Sequence, residues 1–198
     1  MNTVTDDPKP GGADDTILYL MLSLPQRIQQ MNISVLRGML QKGCVPLVVT
    51  VNQPYRVLMK RYAKEGLNPQ KIYVIDAVTQ YSGGTCDDGK NVRYVTNPAN
   101  LTDLGIAITE MLKHIPDQQR CIIFDSVSML LIHTPSVTAS KFLHFVMNKL
   151  RLSNIDGIFL CVEKGLDPVV LSQLSSFVDR IVEFDSPEQG AGLTGITS

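Results

Sequence analysis

The chain has little surplus charge. Its 18 Lys and Arg face 19 Asp and Glu, a net −1 over 198 residues. Neither sign is in the excess that marks a nucleic-acid or anionic-membrane partner. A long apolar run is also missing: the longest, around Ile17–Leu24, is far short of the ~20 residues of a membrane span. The opening residues, MNTVTDDPKPGGADD, are polar and acidic, unlike a secretory signal or a transit peptide. The four cysteines (Cys44, Cys86, Cys121, Cys161) show no CxxC spacing, and two of them sit in apolar runs. A thiol in such a run behaves as a small hydrophobe, which speaks against a disulfide or zinc framework. The histidines, His114, His133 and His144, are isolated and lack ligand spacing. A reducing, cytoplasmic setting is the expectation, with no membrane and no nucleic-acid partner indicated.

What is present is apolar punctuation. TILYLMLS (16–23), VPLVVTV (45–51), KIYVIDAV (71–78), CIIFD (121–125) and GIFLCVE (157–163) read as fully buried strands. Helices are expected between them: 33–43 and 55–66, each closed by a glycine, then 97–115, 136–150 and 167–178. Asn100 and Asp103 stand as a cap and its reciprocal partner, and Asp167 precedes Pro168 as an N-cap. RIVEFD (180–185) is a closing strand, and TQYSGGTCDDGKN (79–91) is an exposed loop. Five strand–helix alternations predict an α/β fold, a parallel sheet with helices on both faces. One domain over 16–185 is expected, with a flexible start at 1–15 and a disordered tail at 186–198. The 44% apolar content suits one well-packed core.

In such sheets ligands bind at the C-terminal strand tips, here Ser23, Asn52, Asp76, Asp125 and Glu163. A phosphate site would need a glycine-rich loop ending in Lys and Ser or Thr after the first strand. SLPQRIQQMN (23–32) stands there, without glycine or lysine. Pro25 lacks a backbone donor, Arg27 is the only cation, and Ser23 and Asn32 are the residues suited to capping. The segment reads as a loop of the right length with the phosphate chemistry removed.

From Ile17 to Asp185 the chain resembles the RecA/KaiC superfamily of P-loop ATPases, especially short archaeal KaiC-like and RadA-like single-domain proteins. The resemblance is carried by LRGMLQKGCVPLVVTVNQP, KIYVIDAVT, NVRYVTNPANLTDLGIAITEML, CIIFDSVSMLL and FVDRIVEFD, in that order and spacing. It implies a three-layer αβα sheet in the order 5-1-4-3-2. The closing strand is expected at the sheet's edge and the first strand beside the strand of Asp125. It also places the phosphate loop at Pro25–Gln30 and the catalytic glutamates at Asn52 and Gln53, amides that cannot take a proton at neutral pH. Only the Walker B position, Asp125, keeps its residue. That carboxylate could hold Mg²⁺ beside a nucleotide, or could serve the structure by accepting hydrogen bonds from neighbouring loop N–H groups.

Ser126 and Ser128 read as turn and packing residues more readily than nucleophiles, pairing with His133 being the only catalytic arrangement conceivable. Arg27, Lys60, Arg61 and Lys64 could form an anion patch, although a solvated helix face also explains the last three. Three functions follow. The first is a non-catalytic KaiC/RecA-like regulatory or protein-binding module, with a protein partner or homo-oligomer and no cofactor. The second is a nucleotide-binding protein with an altered ATP/Mg site at Asp125, Ser126 and Arg27 and little or no hydrolysis. The third is an α/β enzyme at the same edge, for which no catalytic pair is visible. The segments expected to carry association are 23–32 and 79–97, the helix faces being needed to cover the sheet.

Overall fold

Side chains alternate along a strand, so an all-apolar strand must be covered on both sides. Leu18, Leu20 and Leu22 enter one core and Tyr19 and Met21 the other. The computed structural model describes residues 16–87, 89–116, 119–164 and 166–184. The expected flexible start, the polar tail and Asp185 lie outside them. The strands are β1 (Leu18–Ser23), β2 (Val45–Thr50), β3 (Tyr73–Asp76), β4 (Val92–Tyr94), β5 (Arg120–Asp125), β6 (Asp156–Val162) and β7 (Arg180–Glu183). The helices are α1 (Ile28–Gln41), α2 (Tyr55–Lys64), α3 (Leu101–His114), α4 (Val127–His133), α5 (Ser136–Leu152) and α6 (Pro168–Phe177).

All seven strands are parallel, in the order β4-β3-β2-β5-β6-β1-β7. Helices α3 to α6 cover one face, and α1 and α2 the other. The expected order of strands needs a correction: the five expected strands, here β1, β2, β3, β5 and β6, stand not as 5-1-4-3-2 but as 3-2-4-5-1, with the closing strand β7 at the edge beside β1. β1 does not adjoin the Asp125 strand, because β6 lies between them, paired to β1 through Leu18–Ser23 and to β5 through Cys121–Asp125. β3 and β4 extend the sheet beyond β2.

A second correction concerns residues 23–32, which do not form a loop. β1 ends at Ser23, and Leu24 is the only residue before a 3-10 turn at Pro25–Arg27 that runs straight into α1. The helix starts at Ile28, five residues before the expected Ile33. Pro25 opens the turn, where a missing N–H costs nothing, and the Arg27 N–H donates to the Leu24 carbonyl at 3.0 Å. Ile28, Met31, Asn32 and Val35 form a buried stripe, and burying that face favours helix over loop. Neither Ser23 nor Asn32 caps it: the Ser23 hydroxyl donates to the Leu24 carbonyl at 3.1 Å.

Two elements were not expected from the sequence. β4 is three residues long and, among the described residues, pairs only with β3, and α4 grows from an apolar stretch directly behind β5. The predicted caps of α3 and α6 are present. Asn100 accepts from the Asp103 N–H at 3.2 Å and donates to Asp103 Oδ2 at 2.6 Å, while Asp167 accepts from the Val169 N–H at 2.8 Å. Gly43, at φ +80°, supplies the left-handed residue that lets the chain leave α1 for β2. Among the described residues no helix is long and apolar enough to cross a membrane.

Candidate functional site at the strand tips

After β2 the chain passes to α2 on one face of the sheet; after β5 it passes to α4 on the other. Neighbouring strands with divergent exits leave a crevice beyond their C-terminal ends. Asp125 sits there at the tip of β5, in register with Thr50 at the tip of β2. The Thr50 hydroxyl accepts from the Gln53 N–H at 3.1 Å and donates to the Gln53 carbonyl at 2.9 Å, fixing Asn52 and Gln53 beside the crevice.

Asp125 is only 4% exposed. Its Oδ2 accepts from the Asn32 side-chain amide at 3.0 Å, while Oδ1, Tyr62 Oη and Gln53 Oε1 complete no hydrogen bond. Burial pushes the Asp125 carboxyl up to about 6, against the opposing pull of the Asn52 amide, the Arg61 charge and the Asn32 amide. Burial also raises Tyr62, and the Asp125 charge adds to the effect. The crevice is therefore an enclosed polar knot, in which one carboxylate is held by amides beside a buried phenol.

The residues expected to form a nucleotide site do not converge. Ser126 is buried and caps α4, its Oγ accepting from the Met129 N–H at 3.4 Å. The Asp125–Ser126 peptide is cis. Arg27 is exposed at the end of the 3-10 turn, and the cation acting on Asp125 is Arg61 of α2. Ser128 ties α4 to β6, its Oγ accepting from the Val162 N–H at 2.7 Å. His133 packs against the Tyr81 ring instead, with centroids 5.6 Å apart. Asp76, fully buried at the tip of β3, accepts from the N–H groups of Tyr55, Val78 and Thr79 and from the Thr79 hydroxyl at 2.5–2.8 Å. Its oxygens are occupied by the chain itself.

The Mg-nucleotide that the resemblance implies does not fit these residues. No glycine-rich backbone turns its N–H groups inward after β1, no lysine follows, and the one Walker-type carboxylate faces an amide from α1. Among the described residues no group of three or more His, Cys, Asp or Glu is placed to hold a metal ion. Asn32 and Tyr62 were missed as members of this site. The available signal was a polar residue on the buried stripe of α1, since an asparagine beside Met31 needs a partner inside the fold.

Residues 38–184 match a family of unknown function, DUF7504. The chain belongs to that family. No curated protein matches it significantly in sequence. Among solved structures, this DUF7504 member is similar to an uncharacterised Pyrococcus horikoshii protein crystallised in complex with an unknown peptide. That likeness has a TM-score of 0.65 at 12% identity, over 84% of this chain and 76% of the other. A KaiC-like protein from Pyrococcus horikoshii OT3 is similar with a TM-score of 0.60 at 13% identity, over 84% and 70% of the two chains. At such identities the likeness shows the fold, which is KaiC/RecA-like.

Proposed function

We propose that this DUF7504 chain is a single non-catalytic KaiC/RecA-like domain that has lost ATP hydrolysis and acts as a cytoplasmic regulatory or protein-binding module. The observation that carries this reading is the joint between β1 and α1. Where a phosphate loop would stand, Leu24 alone separates strand from helical backbone, and Asn32, two turns on, donates to Asp125. Phosphoryl transfer depends on positioned charge and donors, and lysine, loop glycines and a basic catalytic carboxylate are each replaced here. The similar Pyrococcus horikoshii protein was crystallised with a peptide, which supports a protein segment as the class of ligand for this fold.

The alternative, an altered nucleotide site built on Asp125, Ser126 and Arg27, is disfavoured by their geometry: the first is enclosed, the second is a helix cap and the third lies out on the surface. Titration calorimetry with Mg-ATP and a phosphate-release assay on the purified chain test the proposal. Neither heat of binding nor turnover is expected. Robust turnover that disappears on Asp125→Ala would overturn it. For association, Arg27→Glu should weaken complex or oligomer formation while leaving the melting temperature nearly unchanged. An unaltered assembly state would remove Arg27 from the contact surface.

A further inference from the structure

Helices α1 and α2 lie over the same face of the sheet, and the cleft between them has a volume of about 680 Å³, inside the ~300–1,000 Å³ span of ligand clefts. Its two walls differ in chemistry. On the α2 side stand Lys60, Arg61 and Lys64; on the other, Gln26, Gln29, Gln30 and Ser34 project from the 3-10 turn and α1. Lys60, Arg61 and Lys64 have no carboxylate within ion-pair distance among the described residues. Arg37 also lines the cleft; its guanidinium donates to the Glu65 carbonyl at 2.8 Å and stands 3.9 Å from the Glu65 carboxylate. Four cations thus meet one carboxylate in a protein whose overall charge is −1. Charge of one sign has been gathered into a single groove.

We infer that this groove is a docking site for an acidic, extended segment of a partner protein. The inference deepens the protein-binding reading, on which it rests, by giving the partner a chemistry. Carboxylates along such a segment meet the lysines and Arg61. The glutamine amides, each with donors and an acceptor, pair with the segment's backbone N–H and C=O groups. Complementary charge of this kind sets both the encounter rate and the choice of partner. A nucleic acid fits less well, because no residue lining the cleft is aromatic and single strands need stacking platforms. The groove also explains the two faces of residues 26–35. Ile28, Met31 and Asn32 turn inward, whereas Gln26, Gln29 and Gln30 are exposed along the cleft. The helix faces, expected only to cover the sheet, thereby supply the surface.

The test is fluorescence anisotropy of a labelled oligoglutamate peptide with the full chain, with an oligoglutamine peptide and a single-stranded oligonucleotide as comparisons. The expected result is binding of the acidic peptide alone, weakened by salt and reduced about tenfold or more in Lys60→Glu/Lys64→Glu. Lys60→Gln/Lys64→Gln should give a smaller loss, and Lys71→Glu/Lys90→Glu, outside the groove, should give little. Melting curves of the variants establish that they are folded. No binding by the wild type, equal losses in both reversal pairs, or preference for the oligonucleotide would overturn the inference. Binding that appears only after Asp6, Asp7, Asp14 and Asp15 are changed to Asn would also overturn it, since the groove would then belong to the chain's own first residues. ATP turnover would remove the non-catalytic reading and leave the peptide result standing; loss of peptide binding would remove the groove and leave the nucleotide result standing.

Discussion

Asn32 and Asp125, 93 positions apart, are joined by a buried 3.0 Å hydrogen bond that fastens the second turn of α1 to the tip of β5. The bond commits one oxygen of the carboxylate to the chain itself. A buried carboxylate deprived of its donor bears the full cost of desolvation.

Asn32→Ala is therefore expected to destabilise the chain by about 1–3 kcal/mol and to raise the Asp125 pKa further. Denaturant melts, with a pH titration of the variant, measure both effects. A stability unchanged within error would show that the bond contributes nothing.

Asp125→Asn should act in the opposite direction at neutral pH. The folded carboxyl titrates at about 6, above its ordinary 3.8, so the native state holds the proton more tightly than the unfolded chain does. That contribution is complete below the unfolded value and is lost as pH rises through about 6. Asparagine keeps an acceptor for Asn32 without any charge to bury. The variant should be more stable than wild type at pH 7.5 by roughly 1–3 kcal/mol, and the gap should shrink towards pH 5. Parallel melting curves at the two pH values decide it. A gap that widens on acidification would contradict the sign.

Asp76 offers the contrast of a carboxylate fully served by its own chain, with four donors from α2 and the turn after β3. Asp76→Ala strands those donors at once and should cost about 3–5 kcal/mol. Thr79→Val removes only the hydroxyl bond and should cost about 1 kcal/mol. Chemical denaturation of both variants compares the losses. Equal losses would place the weight on the Thr79 hydroxyl and not on the backbone donors.

The parts of the fold readable from the sequence are those fixed by near neighbours. Apolar runs such as Leu18–Leu22 announce buried strands, and Asn100 with Asp103, or Asp167 with Pro168, mark helix starts within four residues. The start of α1 was hidden because nothing local compels Pro25–Asn32 to be helical; burial of Ile28 and Met31 against distant strands does. β4 escaped for a related reason, as an edge strand of three residues has no apolar run to display. Lys60, Arg61 and Lys64 were visible as cations at helical spacing. The glutamine wall that turns them into a groove comes from another helix. Asn32 and Tyr62 belong to the site only through contacts made across the fold.

The position of β6 bears on the order in which the molecule can be built. β1 leads the described chain, yet both its partners come from near the other end: Leu18 aligns with Gly157 of β6, and Tyr19 with Arg180 of β7. On a ribosome β1 thus emerges before the other described strands and is among the last of them to be paired, while β2, β3, β4 and β5 can join one another before β6 is made. A nascent chain stopped short of residue 156 would carry Leu18–Ser23 as an open apolar strand, the form most prone to stray pairing. Closure of the sheet waits until β6 and β7 have been made, and contacts this far apart in sequence make it a slow step.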